Sequence, residues 1–325
     1  MYTPGYASGS AYAPSFWERL GTGWEFVKES MVMWTKDKDL ILPSVLSLLT
    51  MGLGFAGLAG FLHLTGDLPK LIGGESDAEL SAGAYVGFLA YGILAYIISY
   101  FYGGMTVHLV DVHLRGRDAR LGEAFTDAIL NLPAILILAL ISMAVDLAEA
   151  VVRSAARSAR QHGGFGGVLV GDTLRMAARG ANWVWRVVIC LLLPIVILED
   201  ASISAAIRRG QEIHRRDLLG IGVGEVGVDL ISRVVFSLVV ILGVLAIVFS
   251  LQYARGLLWV AIVLTALLVG AVWSLATFLR WAYYTMLYAY AVEREQSAAQ
   301  ATMPLPLANV TGYAPAFAPI VRGGS

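Results

Sequence analysis

Two neighbouring stretches decide the fold: Leu230–Leu251, LISRVVFSLVVILGVLAIVFSL, and Leu257–Leu279, LLWVAIVLTALLVGAVWSLATFL. Each exceeds the roughly 20 apolar residues that a helix needs to cross the ~30 Å hydrocarbon core of a bilayer. Lipid offers backbone groups no hydrogen-bond partner, so a chain crosses as helices or as a closed barrel. The two stretches therefore predict adjacent transmembrane helices, joined by the tight turn Gln252–Gly256.

The composition of the whole chain supports a membrane protein. Of its 325 residues, 58% are apolar and 14% are charged, and the mean hydropathy is +0.70. A soluble domain has roughly 25% charged residues, and a disordered chain is less apolar. The single Cys190 excludes a disulfide scaffold, and the net charge of -1 gives no basis for nucleic-acid binding. We expect an all-α, polytopic transmembrane bundle.

Four more apolar segments precede these two, which makes six in all. The third carries Asp146 and Glu149 near its end, and the fourth is short and contains Arg186 and Pro194. These middle two segments either cross the membrane or form a re-entrant hairpin. The four segments are Leu40–Leu62, Ala82–Leu109, Leu132–Val152 and Trp183–Leu198.

Basic residues predict the orientation, because cytoplasmic loops of membrane proteins are enriched in Lys and Arg. The N-terminal segment is basic, whereas the loop after the first span has only Lys70 among four carboxylates. We therefore expect a multi-pass protein of the cell (inner) membrane with both termini in the cytoplasm. Six crossings would put a basic loop outside, against the rule; its residues are Arg153, Arg157, Arg160, Arg175 and Arg179.

Both ends of the chain are rich in small residues and proline. We expect residues 1–14 and 296–325 to be disordered arms around an integral membrane helical domain at 15–295. Residues 1–14 lack the basic start and apolar centre of a secretory leader.

Three amphipathic helices are predicted on the cytoplasmic side, each ahead of an apolar segment. The first has apolar residues at helical spacing after the capping pair Ser15 and Glu18. The second runs from Arg120 to Asn131, and the third begins at an N-cap, Asp200. The predicted apolar stripes are Phe16, Leu20, Trp24, Val27, Met31 and Trp34; then Leu121, Phe125, Ala128 and Leu132; then Ile203, Ile207, Gly210 and Leu218.

Two motifs resemble a known family, one at the start of the first apolar segment and one at the end of the fourth. They are Trp34–Pro43 (WTKDKDLILP) and Leu193–Asp200 (LPIVILED), the latter followed by the helix Ala205–Arg209. With the aromatic stretch Tyr283–Ala291, they resemble a domain-of-unknown-function family of prokaryotic integral membrane proteins. The chain is also loosely similar to the membrane domain attached to some glycerophosphodiester phosphodiesterases. The resemblance spans about 16–295, implies a polytopic helical fold and implies no established activity; Gly210 departs from it, where a Ser often stands.

The function expected from the sequence is non-enzymatic, with no cofactor. We expect a scaffold or membrane-organising subunit that binds anionic lipid or a partner at its cytoplasmic face. The residues expected to contact headgroups are Arg208, Arg209, Arg215 and Arg216. Expected partners are membrane lipids and either further copies of the chain or another membrane subunit; the homo-oligomer seam would use Gly52, Ala56 and Gly60, or Gly83 and Gly87.

The alternative function is a small-molecule or ion transporter or channel. Asp146 and Glu149 share a helix face, and Glu149 pairs with Arg153 four residues on, which suggests an intramembrane relay.

Two further motifs are weaker indicators. Gly222–Gly227 matches GxGxxG, but no strand precedes it, as a dinucleotide site requires. His108, Asp111 and His113 do not share one helical face, so no metal site is expected.

Overall fold

The computed structural model describes residues 32–33, 35–72, 79–162, 172–173, 176, 188–189, 191–217, 221–253 and 255–296. Within these ranges every regular element is a helix and no strand occurs. The α-helices are α1 Leu42–Leu64, α2 Asp67–Ile72, α3 Ala82–Leu114, α4 Leu121–Leu130, α5 Leu132–His162, α6 Ile203–Asp217, α7 Ile221–Tyr253 and α8 Leu258–Gln296. Residues 191–198 are also helical, and short 3-10 turns lie at Lys38–Leu40 and Arg255–Leu257.

Five of the described helices are long and apolar enough to cross a membrane, which confirms the helical class and supports a multi-pass membrane protein. They contain five of the six predicted segments. Of the sixth, Trp183–Leu198, only residues 188–189 and 191–198 are described, so its crossing stays a prediction. The five candidate spans are Lys38–Leu64, Ala82–Leu114, Leu132–Ser158, Ser232–Tyr253 and Leu258–Ala289.

The third predicted segment is a continuous helix, α5, of 31 residues. It packs antiparallel to α3: Ile135 lies beside Gly104, and Asp146 bonds to Tyr96, two turns earlier on α3. This supports the crossing alternative for the third segment and puts Arg153 at the opposite end of the bundle from Leu132. The 163–187 stretch is almost wholly outside the described residues, so the re-entrant alternative for the fourth segment stays open.

The bundle is packed unevenly along its length. At one end, called here the core end, one apolar core joins the C-terminal parts of α3 and α8, the start of α5 and the 191–198 helix. At the opposite end, the far end, large apolar side chains of four helices are at least 40% exposed. Examples are Leu53, Phe88, Leu242 and Leu267. An exposed apolar belt of this extent is the surface that lipid tails cover.

Two adjacent glycines let α3 run through the middle of the core end. A Cβ on Gly103 would stand 2.5 Å from the Trp281 ring of α8, and one on Gly104 would stand 2.9 Å from Ile197. A methyl group at Gly103 would overlap the Trp281 ring, whereas one at Gly104 would require the end of the Ile197 side chain to shift. Tyr100 then packs edge-on against Trp281, with ring centroids 5.7 Å apart. The α3 backbone therefore sets how closely the neighbouring helices approach.

The predicted small-residue seams divide into two groups. Gly87 packs against Leu58 and Phe61 of α1, both 3.1 Å from its Cβ position, so it serves packing within the chain. Gly52 and Gly60 have nothing within 4 Å of their Cβ positions, and Ala56 between them is exposed. A homo-oligomer seam on this α1 face stays a prediction.

Helix α4 matches its predicted position, but its inward stripe was partly wrong. Ala124 and Ala128 are fully buried, whereas Phe125 is 47% exposed, with Ile129 beside it on the same outer face. The two alanines therefore form the buried face of α4. Phe125 instead contacts Phe101 edge-on from the side, at 5.6 Å.

Two predictions for α6 were also wrong. The N-cap is Ser202, whose carbonyl and hydroxyl receive the first helical N–H groups, because Asp200 has a left-handed φ of 49° and turns its carboxylate to Asn131. The inward stripe contains Ile203 and the fully buried Ala206, whereas Ile207 is 42% exposed. Leu218 lies outside the described residues.

Several predictions fall wholly or mostly outside the described residues. These are the disordered arms at 1–14 and 296–325, of which only Gln296 is described, and the first amphipathic helix, Phe16–Trp34. Gly222–Gly227 is described, and it lies inside helix α7 rather than between a strand and a helix.

A carboxylate clamp closes the loop at the far end between α2 and α3. Asp67, fully buried, accepts hydrogen bonds from the Ser81 hydroxyl (2.5 Å) and the Ser81 backbone N–H (3.0 Å). The Ser81 hydroxyl in turn accepts from the Ala84 N–H and caps α3. The pKa of the Asp67 carboxyl is held well below its usual range, first by the Ser81 hydroxyl and then by the Ser81 N–H.

We predict that Gly103→Ala destabilises the protein by about 1–3 kcal/mol, because the added methyl overlaps the Trp281 ring. Thermal unfolding in detergent micelles measures this. Gly92→Ala on the same helix is the control: its Cβ meets nothing within 4 Å, so we expect unchanged or slightly raised stability. Equal melting temperatures for both variants would contradict the packing described.

We predict that Asp67→Asn lowers the melting temperature at pH 7 and that the difference from the natural chain shrinks as the pH falls below about 4. The folded-state pKa is lowered, so this stabilisation is present above the ordinary carboxyl pKa and is lost as the pH falls toward the folded value. Glu79→Gln is the control, since Glu79 is exposed and bonds to Lys70 through its backbone carbonyl. A difference in melting temperature between Asp67→Asn and the natural chain that does not change with pH would contradict the prediction.

Candidate functional site

The polar groups of the core end form a rim around the packed core. All four predicted arginines lie within helix α6, and the structure describes the side chains of two of them. Arg208 is exposed. Arg209 is 28% exposed and binds Glu199 at 3.2 Å and Glu212 at 3.6 Å. The side chains of Arg215 and Arg216 lie outside the described residues.

Glu199 joins α6 to the end of α8. One of its oxygens, Oε1, accepts a hydrogen bond of 2.5 Å from the Tyr288 hydroxyl and one of 3.2 Å from Arg209 Nε. Tyr288 is 5% exposed, so its hydroxyl depends on Glu199 for a partner at that depth. This contact fixes the point where the buried 191–198 helix turns into α6.

A second hydrogen-bond network joins α3, α4 and the turn before α6. His108 Nδ1 lies 2.8 Å from the Asp127 carboxylate of α4. Asn131 donates to the Asp127 carbonyl (3.2 Å) and to the Asp200 carboxylate (3.0 Å). The bond from Asn131 holds Asp200 in a left-handed backbone conformation, which is unusual for a residue other than glycine. This network connects three elements that are separate in the sequence.

The structure separates the three residues that were weighed for a metal site. His108 binds Asp127, His113 lies 3.5 Å from Asp37, and Asp111 binds Arg115 at 2.8 Å. Across the part of the chain that the structure describes, no group of three or more His, Cys, Asp or Glu residues could hold a metal ion.

An open polar cleft of about 640 Å³ lies beside His113 at the core end. Acidic and basic side chains alternate around it, and Asp37 also caps the 3-10 turn that leads into α1. Its lining residues are Thr35, Lys36, Asp37, Lys38, Asp39, His113, Gly116, Arg117 and Asp118.

The predicted intramembrane carboxylates lie between α5 and α3. Tyr96 donates a hydrogen bond to Asp146, and Tyr100 and Ser142 are bonded one turn nearer the core end, at 2.5 Å. Glu149, 9% exposed, lies 3.5 Å from Arg153, as the sequence predicted. The structure thus places Asp146, Glu149 and Arg153 along one face of α5.

Sequence reasoning missed Tyr96, Tyr288 and Asn131. A signal existed for Tyr96: Tyr96 and Tyr100 are four residues apart on α3, as Ser142 and Asp146 are on α5, and equal spacing suits two antiparallel helices. Tyr288 and Asn131 gave no such signal, because their partners lie 89 and 69 residues away.

Compared with protein-family models, with curated proteins and with solved structures, the chain matches none. The resemblance to prokaryotic integral membrane proteins therefore stays a prediction.

We predict that Tyr288→Phe destabilises the protein by about 1.5–3 kcal/mol, the usual range for a lost hydrogen bond to a charged group. Thermal unfolding measures it. Tyr85→Phe is the control, because Tyr85 is 63% exposed at the far end, and we expect it to unfold like the natural chain. A Tyr288→Phe protein as stable as the natural chain would contradict the role given to the Glu199 contact.

Proposed function

We propose that this chain is a non-enzymatic integral membrane protein, a scaffold or membrane-organising subunit whose core end binds anionic lipid headgroups through α6. The observation that carries the proposal is the attachment of α6: its inner face is fixed to the core through Ala206, while Arg208 is exposed. A helix held in this way presents its charges in a fixed plane.

The arginines of α6 fall into two rows along the helix. Arg208 and Arg215 are seven residues apart, as are Arg209 and Arg216, so each pair shares a face at helical period. Glu199 orients Arg209 without covering it, since 28% of the side chain stays exposed. Rows of this kind match the negative surface of a cytoplasmic leaflet.

Helix α4, whose C-cap Asn131 bonds to Asp200 ahead of α6, supports a position at the membrane surface. Its exposed Phe125 and Ile129 lie on the opposite side from the core, and α5 continues with the exposed Ile137 and Leu140. Exposed apolar groups at the same end of the bundle as a basic helix suit an interfacial surface.

A transporter or channel using Asp146 and Glu149 is the second candidate. The specific observation in its favour is the Tyr96–Asp146 bond, near the middle of two membrane-length helices. The buried Ile135 and Ile197 close the bundle on the core-end side of this pair, and a passage would have to open there. We therefore rank this function second.

We predict that neutralising the four α6 arginines weakens binding of anionic lipid at least about tenfold, since each basic group near a membrane surface contributes on the order of 1 kcal/mol. The measurement is the fraction of spin-labelled phosphatidylglycerol immobilised by the reconstituted full-length protein. The variant carries Gln at Arg208, Arg209, Arg215 and Arg216.

A matched control removes the same net charge from the same end of the bundle, outside α6. We expect it to keep most of the lipid selectivity. Equal losses in the two variants, or no loss in the α6 variant, would overturn the proposal. The control carries Gln at Lys38, Arg115, Arg117 and Arg120.

A further inference from the structure

We propose that the open cleft beside His113 binds an ethanolamine phosphate group, presented by a membrane phospholipid. The cleft lies between the segment ahead of α1 and the C-terminal end of α3, and within the described residues its lining comes from these two segments alone. Its volume of about 640 Å³ falls within the roughly 300–1,000 Å³ that is usual for small-ligand sites. The proposal goes beyond anionic-lipid binding by α6 and does not rest on it.

Hydrogen bonds hold the two sides of the cleft in place. On one side, the Asp37 carboxylate accepts a hydrogen bond of 3.1 Å from the Asp39 N–H and caps the 3-10 turn ahead of α1. On the other side, α3 ends at Gly116, whose φ of 70° is the left-handed conformation common at helix C-termini, and the Gly116 N–H bonds to the His113 carbonyl at 2.9 Å. His113 Nδ1 lies 3.5 Å from the Asp37 carboxylate and joins the two sides.

Charges of both signs line the cleft without neutralising one another. Besides the Asp37–His113 pair there are three basic side chains and two carboxylates, namely Lys36, Lys38, Arg117, Asp39 and Asp118. In the described part of the chain, no hydrogen bond or ion pair joins any of these five side chains to a partner. Opposite charges that face one cleft and do not pair with each other are available to a ligand that carries both signs.

The types of side chain indicate which two charges the ligand carries. Lysine and arginine bind phosphate, lysine as a point charge and arginine through its planar fork of N–H groups. A primary ammonium donates three hydrogen bonds, and the carboxylates of Asp39 and Asp118 can accept them. Ethanolamine phosphate combines these two groups. Choline phosphate has no N–H to donate, and a purely anionic headgroup would face the two carboxylates with a like charge.

The depth of the cleft favours a phospholipid as the source of this group. Helix α1 has 23 residues, which is about 35 Å at 1.5 Å per residue and covers the ~30 Å hydrocarbon core. Lys36, Lys38 and Asp39 precede this helix by a few residues, so they lie at the level of the headgroups. A phospholipid that packs beside the start of α1 therefore presents its headgroup at the cleft.

The test measures lipid retention by native mass spectrometry. The full-length protein in detergent micelles is incubated with dioleoyl-phosphatidylethanolamine or with dioleoyl-phosphatidylcholine. We expect one phosphatidylethanolamine to be retained per chain, and phosphatidylcholine to be retained at least about fivefold less. Equal retention of the two lipids, or retention of neither, would overturn the proposal. Binding of free O-phosphoethanolamine without retention of phosphatidylethanolamine would overturn the assignment to a lipid and identify a soluble ligand with the same chemistry.

A double variant tests the carboxylates of the cleft. We expect Asp39→Asn with Asp118→Asn to lower phosphatidylethanolamine retention about five- to tenfold, to the level of phosphatidylcholine, because pairs between exposed charges are individually weak and two are lost. The matched control, Glu123→Gln with Glu212→Gln, removes two exposed carboxylates at the same end but outside the cleft. We expect the control to bind like the natural chain, and equal losses in the two variants would contradict the site.

A second variant tests the phosphate side of the cleft. Lys36→Gln with Arg117→Gln removes two groups that would bind the phosphate, which both lipids carry. We therefore expect retention of phosphatidylethanolamine and of phosphatidylcholine to fall together, and unchanged retention of both would overturn the proposal. All of these measurements use zwitterionic ligands and leave the α6 arginines in place, so they fail or succeed separately from the binding of anionic lipid by α6.

Discussion

The close approach of other helices to the α3 backbone is the constraint on which the rest of the structure depends. Gly103 admits the Trp281 ring of α8, and Gly104 admits Ile197 of the buried 191–198 helix. Inside a bilayer, helices associate through packing of this kind, because lipid tails are as apolar as the side chains themselves. A side chain at Gly103 would overlap the Trp281 ring, and one at Gly104 would displace the end of the Ile197 side chain.

The two ends of the bundle differ because of this packing. The core end is densely packed, and its polar side chains form hydrogen bonds that connect the ends of helices. Glu199 bonds to Tyr288 in this way, and Asn131 bonds to Asp200. The far end exposes apolar side chains to lipid and keeps one buried polar clamp, Asp67 with Ser81. Asp146 lies between these two ends, where it accepts a hydrogen bond from Tyr96.

Much of the fold was predictable from the sequence, because apolar length alone identifies a membrane span. Five segments and the position of α4 were predicted correctly. The faces of the helices were harder to predict. Ala124, Ala128 and Ala206 are fully buried, whereas Phe125 and Ile207 are exposed, and the apolar periodicity did not distinguish these neighbouring positions. The N-cap of α6 is Ser202 and not the predicted Asp200, because Asn131, distant in sequence, binds the Asp200 carboxylate. Partners far apart in the chain are not visible in local patterns.

The path of α5 across the membrane decides the second candidate function and the side of the membrane on which Arg153 lies. It is tested by labelling single cysteines with a membrane-impermeant maleimide in intact cells and in inverted vesicles, in a chain carrying Cys190→Ala. We expect Ser154→Cys to react from the same side as Leu64→Cys at the far end, and from the side opposite Gly116→Cys at the core end. Reaction of Ser154→Cys and Gly116→Cys from one side would contradict the account.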